Sequence, residues 1–196
     1  MNFKRFSVLA AVALSLACAG AQAQTSTWTI DSAHSSVEFH IRHLGVSNVH
    51  GTITGIKGTV VFDDKNIEKS SVTATMDTTT VNTANDARDK HLKSPDFFDV
   101  AQFATISFKS TAVTKTGGKL QLVGDLTLNG VTKPVTLDLD GPAPPMTQKN
   151  GKVVSGFSAS GVLHRADFNF GPKFAPPMLG DDVKISIDVE IDKQPA

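Results

Sequence analysis

An all-β fold, an eight-stranded antiparallel barrel with one short helix between strands, is predicted by three features of the sequence. Apolar and polar residues alternate with period two along most of the chain, as in strands with one face buried and the other in water. Val, Ile, Thr, Phe and Ser are prominent, and runs of Ala, Leu and Glu are scarce, which is strand composition. Turn sequences separate the alternating stretches, led by Asn129-Gly130, whose residue types suit the two left-handed positions of a type I′ hairpin.

The strands follow in order. Residues 28–44 read as a long first strand, with Val37, Phe39 and Ile41 on one face and Ser36, Glu38, His40 and Arg42 on the other. Residues 51–62 form a second, aligning Ile56, Val60 and Phe62. Residues 71–77 alternate Val72, Ala74 and Met76 with polar neighbours, and residues 105–110 set Ile106 and Phe108 on one side. Residues 119–128 align Leu120, Leu122, Leu126 and Leu128, and residues 131–140 align Val135, Leu137 and Leu139. Residues 153–163 align Phe157, Ala159 and Leu163, and residues 183–191 alternate from Val183 to Ile191. Turns are expected at 63–66, 116–118 and 148–151, and Pro142, Pro144 and Pro145 mark a longer loop. Residues 84–93 have helical composition, with Asn82 or Thr83 as cap and Pro95 beyond the end, followed by an aromatic corner at Phe97-Phe98. Strands buried on both faces would read as continuous apolar runs, so helices do not cover this sheet. A two-sheet sandwich and a closed barrel both satisfy the alternation, and eight strands in hairpin order suit an up-and-down barrel.

The N-terminus reads as a secretory signal. Lys4 and Arg5 precede an apolar run over residues 6–19, and Ala21-Gln22-Ala23 offers small residues for cleavage near Ala23. The run is shorter than the roughly 20 residues of a membrane span, and no later stretch is apolar for as long. Residues 1–23 are therefore expected to be removed, leaving residues 24–196 as one domain in the periplasm or outside the cell. Cleavage also removes Cys18, the only cysteine, so the remaining chain forms no disulfide and offers no thiolate to a metal. Losing Lys4 and Arg5 leaves 17 basic against 19 acidic residues, a balance that gives no electrostatic reason to bind nucleic acid. Stable membrane insertion is not expected either.

Candidate chemistry is sparse. His34, His40, His43 and His50 cluster early, but His40 and His43 are an odd step apart on a strand and point to opposite faces. No metal site and no cofactor are read from them. His43 shares the parity of the apolar face near a strand end, which suits a polar residue at a barrel rim. Asp86, Arg88, Asp89, Lys90 and His91 read mainly as local helix ion pairs, with a rim role for Arg88 or His91 as the second reading. No nucleophile–base set or Gly-X-Ser-X-Gly motif appears, so no catalytic residue is assigned. Arg165 and Asp167 precede Phe168, Phe170, Phe174, Pro176, Pro177 and Met178, which read as an ordered aromatic loop or an apolar lip over an opening. Parity alone leaves open whether the inward residues fill a core or line a hollow.

Several motifs resemble the YceI-like family of polyisoprenoid-binding proteins. They are Trp28-Thr-Ile-Asp-Ser-Ala-His34-Ser, Val37-Glu-Phe39-His-Ile-Arg-His43-Leu-Gly45, Gly51-Thr, and Asp86-Ala-Arg88-Asp-Lys-His91-Leu-Lys-Ser-Pro-Asp-Phe97-Phe98-Asp. Ile106-Ser-Phe108-Lys-Ser, Gly124-Asp-Leu-Thr-Leu-Asn129-Gly130-Val-Thr-Lys-Pro134-Val, Arg165-Ala-Asp167-Phe168 and Gly180-Asp-Asp-Val183 complete the set, in order along nearly the whole chain after residue 23. The segment 169–179, with Asn169, Phe170, Pro176 and Pro177, departs from the family pattern. The resemblance implies an extended lipocalin-like barrel, exported to the periplasm, that holds a long-chain isoprenoid or similar amphiphile in an apolar tunnel without catalysis.

On that reading Val37, Phe39, Ile41, Ile56, Met76, Phe97, Phe98 and Phe108 are expected to line the tunnel. Leu122, Leu126, Leu137, Phe157, Leu163, Phe168 and Phe170 complete the lining, and His43, Arg88, His91 and Arg165 are expected at the ligand head group. Three alternatives stand beside the carrier. The barrel could scavenge fatty amides or hydrophobic drugs, act as an enzyme on a hydrophobic substrate through His43 or His91, or have a filled core and bind only a protein partner. Exposed strand edges or the lip would also permit a homodimer.

Overall fold

The computed structural model describes residues 25–195, and the expected signal segment, residues 1–23 with Cys18, lies outside the described residues. The strands are β1 (Thr25–Ile30), β2 (Ser36–His43), β3 (Ser47–Ile53), β4 (Lys57–Asp63), β5 (Ser71–Asp77) and β6 (Thr105–Thr116). After them come β7 (Lys119–Leu128), β8 (Val131–Asp140), β9 (Met146–Thr147), β10 (Val153–His164) and β11 (Leu179–Lys193). The helix α1 (Asp86–Leu92) sits between β5 and β6. All strand pairs are antiparallel, in the order β3-β2-β11-β1-β4-β5-β6-β7-β8-β10-β9, and pairing of β10 with β11 closes the ring.

The expected eight strands are present, two of them broken. β1 and β2 both run along β11, Ile30 opposite Ile191 and Val37 opposite Ile187. β3 pairs with β2 and β4 with β1, so the second line is broken at the same level. The predicted single strands at 28–44 and 51–62 are therefore two strands each. Asp31 causes the first break: its Oδ1 accepts from the Ala33 N–H at 2.9 Å while its own N–H donates to the Glu190 carbonyl at 2.9 Å, forming a side-chain-closed turn. At the second, Gly55 takes a φ of +72°, and the Thr54 N–H leaves the ladder for Thr80 Oγ1 at 3.0 Å. Neither event disturbs the apolar alternation, which is why periodicity alone passes over them.

Elsewhere the reading differs mainly at element ends. β6 and β11 are longer than expected, β9 is added, and 3₁₀ turns occur at Ile67–Lys69, Thr78–Thr80 and Arg165–Phe168. Asn129 and Gly130 have φ of +51° and +75°, as a type I′ turn requires. The helix starts later than expected, because Asn85 is its cap and accepts from the Arg88 N–H at 3.0 Å. Asn82 instead bridges to Thr52 through two backbone bonds of 2.8 and 3.0 Å. That bridge sets the Thr78–Thr80 turn and α1 beside the upper half of β3, which has no strand partner on that side.

The two ends of the barrel differ. Trp28, Val60, Val113, Val154 and Ile191 are buried at the end where β1 begins and β11 finishes. Each such side chain contributes about 1.5–3 kcal/mol by leaving water, so this end is a solid floor. The other end carries α1, the hairpin tip between β2 and β3, and the segment joining β10 to β11.

Candidate functional site

Above the floor lies a cavity of about 410 Å³. That is within the range of small-molecule pockets, roughly 300–1,000 Å³. All fifteen side chains expected to line a hollow lie on it: Val37, Phe39, Ile41, Ile56, Met76, Phe97, Phe98, Phe108, Leu122, Leu126, Leu137, Phe157, Leu163, Phe168 and Phe170. The wall also includes Ile106, Val135, Ile185, Ile187 and Val189, which share the inward parity, Phe174 and Met178 from the connecting segment, and Leu179 at the start of β11. Phe174 and Met178, read from the sequence only as part of a loop or lip, were not named as lining because a loop has no periodicity to read.

Glycines help to keep the centre empty. A β-carbon on Gly51 would lie 2.4 Å from the Phe39 ring, and one on Gly124 would lie 2.4 Å from the Phe108 ring. Each phenyl thus lies down against the wall where a glycine leaves room, instead of standing into the lumen. Gly124→Val is expected to cost about 1–3 kcal/mol in urea unfolding, as overpacking does, and to reduce uptake of an apolar probe by pushing Phe108 inward.

Only four polar side chains line the cavity among the described residues: His43, Arg88, His91 and Arg165. They are the four expected at a head group, but their environments differ. Arg165 is 5% exposed, and its N–H groups are all directed at carbonyls of the following segment and of the first two residues of β11. Nε donates to Gly180 at 2.7 Å, Nη1 to Phe170 and Gly171 at 3.0 and 2.8 Å, and Nη2 to Leu179 at 3.0 Å and to Phe174. A guanidinium has five donors, so none remains for a ligand. The head-group expectation for Arg165 gives way to an internal scaffold role. Burial lowers its pKa from the usual arginine range, with nearby Asp181 opposing the shift.

Arg88 keeps capacity. Its Nε donates to Thr83 Oγ1 and its Nη2 to the Thr83 carbonyl, both at 2.7 Å, while Asp89 accepts from the Thr83 N–H at 2.9 Å. The expected helix ion pairs are thus replaced by two charged side chains holding one threonine. His91 lies between Phe97 and Phe174, with ring centroids at 5.1 and 5.6 Å, and its Nε2 is 3.1 Å from Asp96. Asp96 also accepts from Lys173 at 2.6 Å, and these two partners hold its carboxyl below the usual carboxylate range, Lys173 first. Phe97 stacks on Phe174 at 5.1 Å, and Phe98 meets Phe170 edge-on at 4.7 Å. The α1 corner and the β10–β11 segment therefore join over the cavity through an aromatic cluster and a His–Asp–Lys clasp. His43, His91 and Met178 are lining residues that are also exposed, and they mark the opening.

Among the described residues, two groups outside the cavity offer metal-type donors. Asp31, His34 and Glu190 form one, and His164, Asp181 and Asp182 the other. The first already holds a cation, since Lys152 Nζ lies 3.7 Å from Asp31. Its chemistry is ion pairing: Asp31 lies 3.0 Å from the His34 ring, which raises the His34 pKa and lowers that of Asp31. Stability from the raised histidine is fully present below about pH 6.5 and is lost as pH rises through the raised value. Stability from the lowered carboxyl is present above about pH 3.9 and is lost in acid. His34→Ala is therefore expected to unfold at lower urea than the parent near pH 5.5, with the gap closing as pH rises through the raised histidine value.

Comparison with known proteins agrees with this architecture. A protein named YceI from Escherichia coli is 39% identical over 184 residues, covering 93% of this chain and 96% of that one. The crystal structure of a YCEI protein from Campylobacter jejuni matches with a TM-score of 0.69 at 32% identity, over 79% of this chain and 91% of that one. A polyisoprenoid binding domain from Saccharophagus degradans, implicated in plant cell wall breakdown, shares the fold at a TM-score of 0.62 and 12% identity, over 85% and 98% of the two chains. The YceI-like domain family matches residues 28–191, nearly all of the described barrel, and the chain belongs to that family.

Proposed function

We propose that this protein binds a long-chain isoprenoid-type lipid, such as a polyprenyl phosphate or a quinone tail, and sequesters or carries it without chemical change. The observation that carries this reading is the apolar cavity, whose few polar groups gather at one end. Burying each CH₂ of a tail contributes about 0.8 kcal/mol gross. Ordering a flexible chain cancels much of that sum.

The length of the hollow supports a chain-like ligand. Lining residues on β11 run from Leu179 to Val189, roughly 33 Å along a strand at about 3.3 Å per residue. A strand tilt of about 40° shortens this to about 25 Å along the barrel axis. Several isoprene units fit that distance, with the tail toward the floor and the head group near His43, Arg88 and His91. The same placement leaves no residue pair aimed at a reacting bond, which favours binding over catalysis. The signal-like N-terminus supports export to the periplasm.

Mass spectrometry of an organic extract of protein purified without detergent tests the reading. Recovery of a stoichiometric isoprenoid is expected. No lipid in repeated preparations, with no uptake of added polyprenyl phosphate or quinone, would contradict it.

A further inference from the structure

The tip between β2 and β3 spends apolar side chains in an unusual place. Leu44 and Gly45 occupy a type I′ turn with φ of +50° and +69°. Leucine is strained there, whereas the equivalent turn between β7 and β8 uses Asn129. Leu44 is nonetheless 54% exposed and Val46 76% exposed. The Leu44 N–H donates to the Met178 carbonyl at 3.1 Å, joining the tip to a third apolar residue that is 50% exposed. Neither local propensity nor packing accounts for Leu44 and Val46, and they border the opening marked by His43 and Met178.

Charge points to what covers it. From Phe39 to the end of β3 the hairpin has no acidic residue, while Arg42 and three of the chain's six histidines, His40, His43 and His50, lie on it. The Arg42 Nε donates to the Gly45 carbonyl at 3.1 Å, which places the guanidinium against the tip. The nearby carboxylates Asp181 and Asp182 face His164 on the β10 side, at 3.7 and 2.9 Å.

We propose that this tip docks on the surface of an anionic lipid bilayer, with Leu44, Val46 and Met178 entering the headgroup layer and Arg42 meeting lipid phosphates. Apolar side chains beside a cation suit an interfacial contact rather than a span. The proposal rests on the carrier reading, because docking there brings the opening of the cavity to the layer in which a tail would reside.

The test compares the full chain with the double variant Leu44→Asn, Val46→Ser by co-sedimentation with vesicles of phosphatidylglycerol and phosphatidylcholine, and with vesicles of phosphatidylcholine alone. Asparagine suits the left-handed turn, so the variant is expected to fold. Vesicle binding should fall by at least about tenfold in the double variant and roughly fivefold in Arg42→Gln, and the parent should favour the anionic vesicles. Equal sedimentation of parent and double variant, no sedimentation of the parent, or no preference for anionic vesicles would overturn the proposal. Uptake of a soluble short-chain fluorescent isoprenoid is measured separately. Failure of the carrier reading appears as no uptake by either chain, whereas failure of docking appears only in the sedimentation.

Discussion

Arg165→Met is expected to lower stability by about 3–5 kcal/mol, as removal of a buried, fully bonded charged group does. The side chain ties three carbonyls of the segment between β10 and β11, those of Phe170, Gly171 and Phe174, to two at the start of β11, those of Leu179 and Gly180. Methionine approximates the aliphatic stem but removes all five donors, and only the Gly171 carbonyl keeps a loop partner, the Phe174 N–H at 3.0 Å. Each acceptor left unpaired costs about 1–3 kcal/mol where water does not reach it. Arg165→Lys should rescue little, because one ammonium cannot reach acceptors spread around a planar fork. Urea unfolding reads the loss, and proteolysis should become fast at peptide bonds around Phe174. A change below about 1 kcal/mol with the segment still protected would mean that the carbonyls find other partners.

Ala74→Phe is expected to reduce affinity for an isoprenoid at least about a hundredfold while leaving the fold intact. Ala74 lines the cavity on β5, opposite Phe108 on β6. A phenyl group there enters empty space, so it meets little of the strain that follows overpacking of a filled core. It occupies volume that a tail needs, and each displaced methylene forfeits about 0.8 kcal/mol. Fluorescence titration with a polyenyl probe, alongside a urea curve, separates the two effects. Unchanged affinity with a stable fold would place the ligand elsewhere.

Sequence and structure agree where a physical rule is local and periodic. Alternation located the strand lines, and inward parity named Phe39, Met76, Phe108, Leu122 and Leu137, all of which lie on the cavity wall. Asn129-Gly130 was legible because few residue pairs accept two left-handed conformations. The breaks at 31–35 and 54–56 were not legible, because they depend on bonds to distant partners, Glu190 and Thr80. The role of Arg165 was hidden for the same reason. An arginine next to an aromatic loop reads as a ligand contact until its five donors are seen to meet carbonyls. The room that Gly51 and Gly124 leave for the Phe39 and Phe108 rings was hidden too, because it is a cross-strand relation that needs the register.

A calorimetric titration of isoprenoid alcohols of increasing length, with the head group held constant, probes the hollow barrel most directly. Affinity should rise with each added unit and then level off once the tail spans from the His91 rim to the Trp28 floor, with a negative heat-capacity change throughout the rise. Affinity independent of chain length would mean that the oily interior does not receive the tail.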